Sequence, residues 1–217
     1  MSQIFPKWAN RVPKRLIIGS IVLLNVIIFG VWYFFSPRYL DVGYQPIQPI
    51  PYSHAIHAGK LGIDCRYCHT SVEKSPHANI PPTQTCMNCH SQINSKKPKQ
   101  IAKIRDHWKT GKPIQWIRVH KLPEYVNFNH SAHINAGVGC VTCHGRVDKM
   151  QVVHQVEPLN MAWCINCHRN PAPHLRPVSQ VTNMNWKAPN GNPEAYGKKI
   201  MAARNIHAPT YCDGCHY

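Results

Sequence analysis

Five pentads carry the chemistry of this sequence: Cys65-Arg66-Tyr67-Cys68-His69, Cys86-Met87-Asn88-Cys89-His90, Cys140-Val141-Thr142-Cys143-His144, Cys164-Ile165-Asn166-Cys167-His168 and Cys212-Asp213-Gly214-Cys215-His216. All ten cysteines fall inside them and none is left over. At this Cys and His content, chance supplies on the order of 0.03 such pentads per chain. Two thiols one helical turn apart reach both vinyl groups of a haem and add across them as thioethers. The next residue, His, then comes under the iron as its proximal imidazole. The pattern therefore predicts five covalently bound haem c groups, with His69, His90, His144, His168 and His216 as proximal ligands. Other uses of paired cysteines fit less well. Zinc ribbons need no His directly after each pair, redox dithiols come singly in a βαβ context, and a disulfide framework does not repeat one pentad.

A low-spin electron carrier needs a second axial ligand on each iron, usually His or Met. Of the fifteen histidines, ten lie outside the pentads. Two His-x-x-His pairs stand out among these, His54 with His57 and His130 with His133. At i and i+3 two imidazoles leave one side of a helix and can reach two neighbouring haems. These four are the expected distal ligands. His120, in Arg118-Val119-His120-Lys121-Leu122-Pro123, is the fifth candidate, with Met161 and Met150 as thioether alternatives. His77, His107, His154, His174 and His207 lie in no motif and are read as surface, propionate-contacting or proton-linked side chains.

The elements that must position these groups repeat. YSHAIH (52–57), a turn with Gly62 and then Cys65 matches FNHSAH (128–133), a turn with Gly137 and then Cys140. A second pentad follows in each copy. The expected organisation is a dihaem module at about 52–91, a linker near 92–127, a second dihaem module at about 128–170 and a fifth haem at 212–216. Nineteen prolines and few periodic apolar segments argue against a large aliphatic core or a sheet. The expected fold is mostly irregular with few short α-helices, organised around stacked haems. Residues 98–108 form one longer helix, and 171–193 wrap irregularly.

Ahead of this domain, residues 16–35 run for twenty residues without a charge, about 30 Å as a helix and enough to cross a membrane. Trp32 and Tyr33 suit an interfacial aromatic belt. Residues 1–15 form a basic tail that holds the N-terminus inside, which sends the haem domain (52–217) to the outer, periplasmic side of an inner membrane. The run is too long and lacks the small-residue end of a cleaved signal. Residues 36–51 read as a Pro-rich, semi-rigid tether.

The formal charge of +16 ordinarily suggests an anionic partner. Ten haem propionates lower it to about +6 with all irons ferrous, and about +11 with all ferric. Much of the basicity is thus propionate compensation, and nucleic-acid binding is not expected.

The aromatic-x-His-x-x-His element before C-x-x-C-H resembles small multihaem cytochromes of the c3 and c7 type. With the N-terminal anchor, five pentads and the stretches RVHKLPEYVNFNHSAH (118–133), CVTCHGRVDKM (140–150) and LNMAWCINCHR (159–169), the chain resembles the pentahaem membrane-anchored subunit of alternative complex III. That resemblance implies an electron relay beside an iron–sulfur subunit, polytopic quinol-binding membrane subunits and a monohaem cytochrome c. It also implies a soluble acceptor or terminal oxidase downstream. By likeness to the c7 type, His54 would serve the haem on Cys65 and Cys68, and His130 the haem on Cys140 and Cys143. The alternatives are a stand-alone membrane-anchored quinol dehydrogenase feeding periplasmic reductases and, less well matched, a small-anion reductase with one open iron.

Overall fold

The computed structural model describes residues 4–93 and 98–216. Residues 1–3, 94–97 and 217 lie outside that set, and with them the start of the basic tail, part of the linker near 92–127 and the last residue of the 52–217 domain. The chain forms two compact units, Met1–Asp41 and Val42–Tyr217.

The first unit is built on α1, Val12–Phe34, entered through a 3₁₀ turn at Lys7–Arg11 with Pro13 in the first helical turn. The apolar residues lie all round the helix and stay exposed, as on Ile17, Leu24 and Ile28. With the 3₁₀ turn, the helical stretch Lys7–Phe34 is long and apolar enough to cross a membrane. The one amide side chain of α1 is satisfied internally: Asn25 Nδ2 donates to the Ile21 carbonyl at 2.8 Å, as a helix in hydrocarbon requires. Ser36 then extends the backbone, and Pro37 opens the single turn α2, Pro37–Leu40. Tyr39 packs edge-on to Phe34 with ring centroids 5.0 Å apart.

The second unit is a string of short helices between irregular loops. Among the described residues it has no strand, only isolated bridges at Val126–His216 and Val138–Leu175. A π-helical turn at Ala55–Lys60 precedes α3, Cys65–Cys68. Next come α4, Thr83–His90, and α5, Pro98–Thr110. The second half has α6, His130–Ala136, α7, Cys140–His144, α8, Met161–Arg169, and α9, Pro193–Arg204. This is the class expected from the sequence: short helices in a mainly irregular domain, with one apolar N-terminal helix.

Local chemistry sets most boundaries. Asp64, Asn129, Asn160 and Asn192 cap α3, α6, α8 and α9, each accepting from backbone N–H groups of the first turn. Gly137, left-handed at φ 97°, ends α6. Helix α9 begins at the edge of the segment expected to be irregular. It lies against Ala172–His174, where a Cβ on Gly197 would strike the Ala172 carbonyl.

The aliphatic core is small. Eight apolar side chains are buried among the described residues: Ile50, Ile101, Ile104, Ile134, Met150, Ala172, Leu175 and Val181. Ile50, Ile101 and Ile104 form one cluster that touches Cys86 and Met87 on α4. The stretch read as a tether thus contributes to the second unit from Val42 onward. Gly43 N–H donates to the Gln155 carbonyl at 2.7 Å. Gln48 also pairs reciprocally with the backbone of Ile117 at 2.8 and 2.9 Å.

Candidate haem-attachment sites

Each C-x-x-C-H motif begins a helical turn or lies within a helix, so its two sulfurs stand on one side of a turn. The first four motifs are on α3, α4, α7 and α8, and the fifth is on a 3₁₀ turn at Cys212–Gly214. Among the described residues, no two cysteines are joined in a disulfide. Among the described residues, no group of three or more His, Cys, Asp or Glu is assembled that would hold a metal ion directly.

Whether these residues fit haem can be judged from the imidazoles. With metal–nitrogen bonds of about 2 Å on each face, two imidazoles on one iron have ring centroids roughly 6 Å apart. Three His–His pairs lie at that spacing: His57 with His90 at 6.1 Å, His130 with His144 at 6.5 Å and His133 with His168 at 6.0 Å. Each pair joins an expected distal residue to an expected proximal one. The paired residues are separated by 33, 14 and 35 positions in the chain, so the fold brings them together.

Ring orientation is set by hydrogen bonds to the backbone. Nδ1 faces a carbonyl oxygen in His69 (Asn79, 2.7 Å), His90 (Ile93, 3.2 Å), His168 (Pro209, 2.6 Å) and His216 (Tyr125, 3.3 Å). The same holds for His57 (Ser53, 2.8 Å), His130 (Pro76, 2.7 Å) and His133 (Asn129, 2.7 Å). A carbonyl only accepts, so each Nδ1 carries the proton and the lone pair is left on Nε2. That tautomer is the one an iron ligand needs. Tyr52 stacks on His57 and Phe128 on His133, at 4.4 and 4.7 Å. The aromatic of the repeated motif therefore holds the second histidine of each pair.

Burial depresses the basicity of these rings. His144 falls to about 3, chiefly by desolvation and then by the neighbouring His120 and His130. His54 falls to about 4 by desolvation and by His69 and His57. His130 and His133 are also lowered by burial. Neutral imidazole is the ligating form, and desolvation favours it. His54 Nδ1 and His120 Nε2 are buried with no hydrogen-bond partner, a costly state for polar nitrogen unless a ligand completes the site. The residues fit covalent haem.

The remaining candidates are placed as follows. The His120 ring lies edge-on to His144 at 4.4 Å, closer than two ligands across one iron. The ring packed on His216 is that of Tyr125, at 5.8 Å. Met150 is buried and lines a cavity of about 510 Å³ with Arg146, Lys149 and His154, whereas Met161 is 64% exposed at the start of α8. His207 Nε2 is engaged by Asn205 Oδ1 at 2.8 Å. His107, which belongs to no motif, shares the ligand-like posture, with Nδ1 on the Lys112 carbonyl at 3.0 Å. Its only sequence signal is a place near the end of an amphipathic helix.

No family model matches the chain. Over 122 residues, 56% of this chain, it is 33% identical to the "menaquinone reductase, multiheme cytochrome c subunit" of Nitratidesulfovibrio vulgaris strain Hildenborough. The chain spans about half the length of that curated relative, 55%. The likeness supports reading the paired cysteines as attachment points for c-type haem, as in a multihaem cytochrome.

Proposed function

We propose that the chain is the electron-transfer subunit of a membrane quinol:acceptor oxidoreductase of the alternative complex III type, relaying electrons through five c-type haems. The single observation that carries this reading is the set of three distal–proximal imidazole pairs at 6.0–6.5 Å over pentads whose cysteines are all used alike. Haem supplies a one-electron iron couple, and the chain supplies the rest. The paired cysteines would hold the haem covalently and the paired histidines would ligate its iron, while backbone carbonyls hold the imidazole tautomer and burial favours the neutral ring. Where two imidazoles would share one iron, as in these three pairs, the site would suit electron relay and leave no open position for a substrate. The apolar helix Lys7–Phe34 anchors the chain with the haem domain on the outer face. The quinone site belongs to polytopic partners, with an iron–sulfur subunit and a monohaem cytochrome alongside.

One observation favours a second reading within the same class. The relative is named for menaquinone reduction, so the complex would pass electrons into the quinone pool instead of out of it.

The test is mild detergent extraction from native membranes, followed by native mass analysis and stopped-flow mixing with quinol. Co-migration with iron–sulfur and polytopic subunits, with haem reduction by quinol, is the expected result. Haem reduction only by the upstream donor, with quinol formed, selects the menaquinone-reducing direction. A lone chain that still reacts with quinol overturns the relay reading and makes this chain the dehydrogenase.

A further inference from the structure

The five sites differ in how they touch one another. The first (65–69) and second (86–90) are joined by Asn88 Nδ2, which donates to the Tyr67 hydroxyl at 3.0 Å. The first and third (140–144) share one bridging segment. Thr182 donates to Asp64 Oδ2 at 2.9 Å, and Cys140 N–H donates to the Val181 carbonyl at 3.0 Å. The third and fourth (164–168) are linked by α6, whose His130 faces His144 and whose His133 faces His168. The fourth and fifth (212–216) meet at Pro209. Its carbonyl accepts from His168 Nδ1 at 2.6 Å, and its ring lies where a Cβ on Gly214 would be.

Exposure adds an independent observation. Of the ten cysteines only Cys89 and Cys212 are exposed, and the other eight are half-buried. They belong to the second and fifth sites, each of which has one neighbour in the contacts above.

We propose that the five sites form one unbranched file in the order second, first, third, fourth, fifth, whose solvent-facing ends, at Cys89 and Cys212, are where electrons enter and leave. The order differs from that of the sequence only at the start, where the first two sites exchange places. It rests on the reading of five covalent haems and adds their connectivity. Each His-x-x-His turn then serves one link of the file, and the bridging segment at 181–182 joins the two modules.

The test uses the full-length holoprotein and variants that each lack one haem: Cys86→Ala/Cys89→Ala, Cys140→Ala/Cys143→Ala and Cys212→Ala/Cys215→Ala. Redox titrations are followed by optical and electron paramagnetic resonance spectra. Removing either end haem should shift the potential of one other haem, by threefold or more in its equilibrium constant, about 28 mV for one electron. Removing the third should shift two. In the assembled complex, the variant lacking the third haem should then fill only two of its four haems rapidly from one side.

An end deletion that shifts two or more haems, or a third-site deletion after which three or four haems fill rapidly, overturns the order. Coupling of the fifth haem to the third instead of the fourth does the same. Should a double variant fail to fold, Cys212→Ala and Cys143→Ala alone keep the haem on one sulfur and shift its absorption band. The marked haem should then show one interacting neighbour in the first variant and two in the second. Haem stoichiometry by intact mass separates the two failures, because fewer than five haems in the wild type refutes the underlying reading and not the order alone.

Discussion

Replacing His133 with Ala tests the axial pairing directly. The imidazole lies 6.0 Å from His168, stacks on Phe128 at 4.7 Å and donates Nδ1–H to the Asn129 carbonyl at 2.7 Å. Apart from iron ligation, the variant loses an aromatic contact of about 0.5–1.5 kcal/mol and a hydrogen bond of about 0.5–1.5 kcal/mol. Local destabilisation of roughly 1–3 kcal/mol is therefore expected, too little to unfold the domain in most settings. The larger effect is spectroscopic. One haem, the fourth, should turn from low to high spin and gain one equivalent of carbon monoxide binding when reduced. His57→Ala should do the same to the second haem, whose proximal His90 is 6.1 Å away. The double variant should gain two equivalents, because the two sites share no partner. The assay is carbon monoxide titration of the reduced holoprotein, with the opened haem identified in a Cys164→Ala background. If His133→Ala opens no iron, opens two, or opens the haem on Cys140 and Cys143, the pairing is wrong.

Three further outcomes follow from packing and charge. Ile50→Ala should cost about 2–5 kcal/mol in chemical denaturation, since Ile50 is 4% exposed against Ile101 and Ile104; a loss under 0.5 kcal/mol would mean that residues 42–51 do not pack. Gly197→Ala should destabilise by about 1–3 kcal/mol through overpacking on the Ala172 carbonyl, although Ala is the better helix former; a rise in melting temperature would refute the close approach. Asp64 is held down at about 2 by Arg66, which bonds to its carboxylate. A depressed folded pKa lends stability that is complete above the unfolded value of about 4 and drains as pH falls toward 2. Asp64→Asn should thus flatten stability against pH between about 4 and 2; an unchanged slope would show that the pair contributes nothing.

The pentads could be read as candidate attachment sites because covalent chemistry would fix their spacing whatever the surrounding fold, and the His-x-x-His pairs stood out because a helical turn fixes where two imidazoles emerge. Helix α5 was legible from its apolar period, with Ile101 and Ile104 on the buried side. Helix α9 was not, although Asn192, Pro193 and Glu194 form a helix start. The face it packs is made of Gly197 against backbone and carries no apolar stripe. The docking of residues 42–51 was hidden for a related reason, since proline-rich composition speaks of stiffness and not of what Ile50 and Gln48 meet. His107 is invisible to pattern because its posture depends on a carbonyl five residues away.

The small aliphatic core has a consequence for how such a chain is made. With eight buried apolar side chains among the described residues, the polypeptide alone has little to hold it closed. Its maturation is therefore better viewed as assembly around successive cofactors than as folding followed by loading. Synthesis runs from the N-terminus, and in both modules the histidine turn precedes the cysteine pairs it faces: His54 and His57 before Cys65 and Cys86, His130 and His133 before Cys140 and Cys164. The candidate axial ligands of both modules would thus already be present when the thiols react. A chain stalled between the two would expose unreacted thiols and an open interior, which is the form a quality-control protease would recognise.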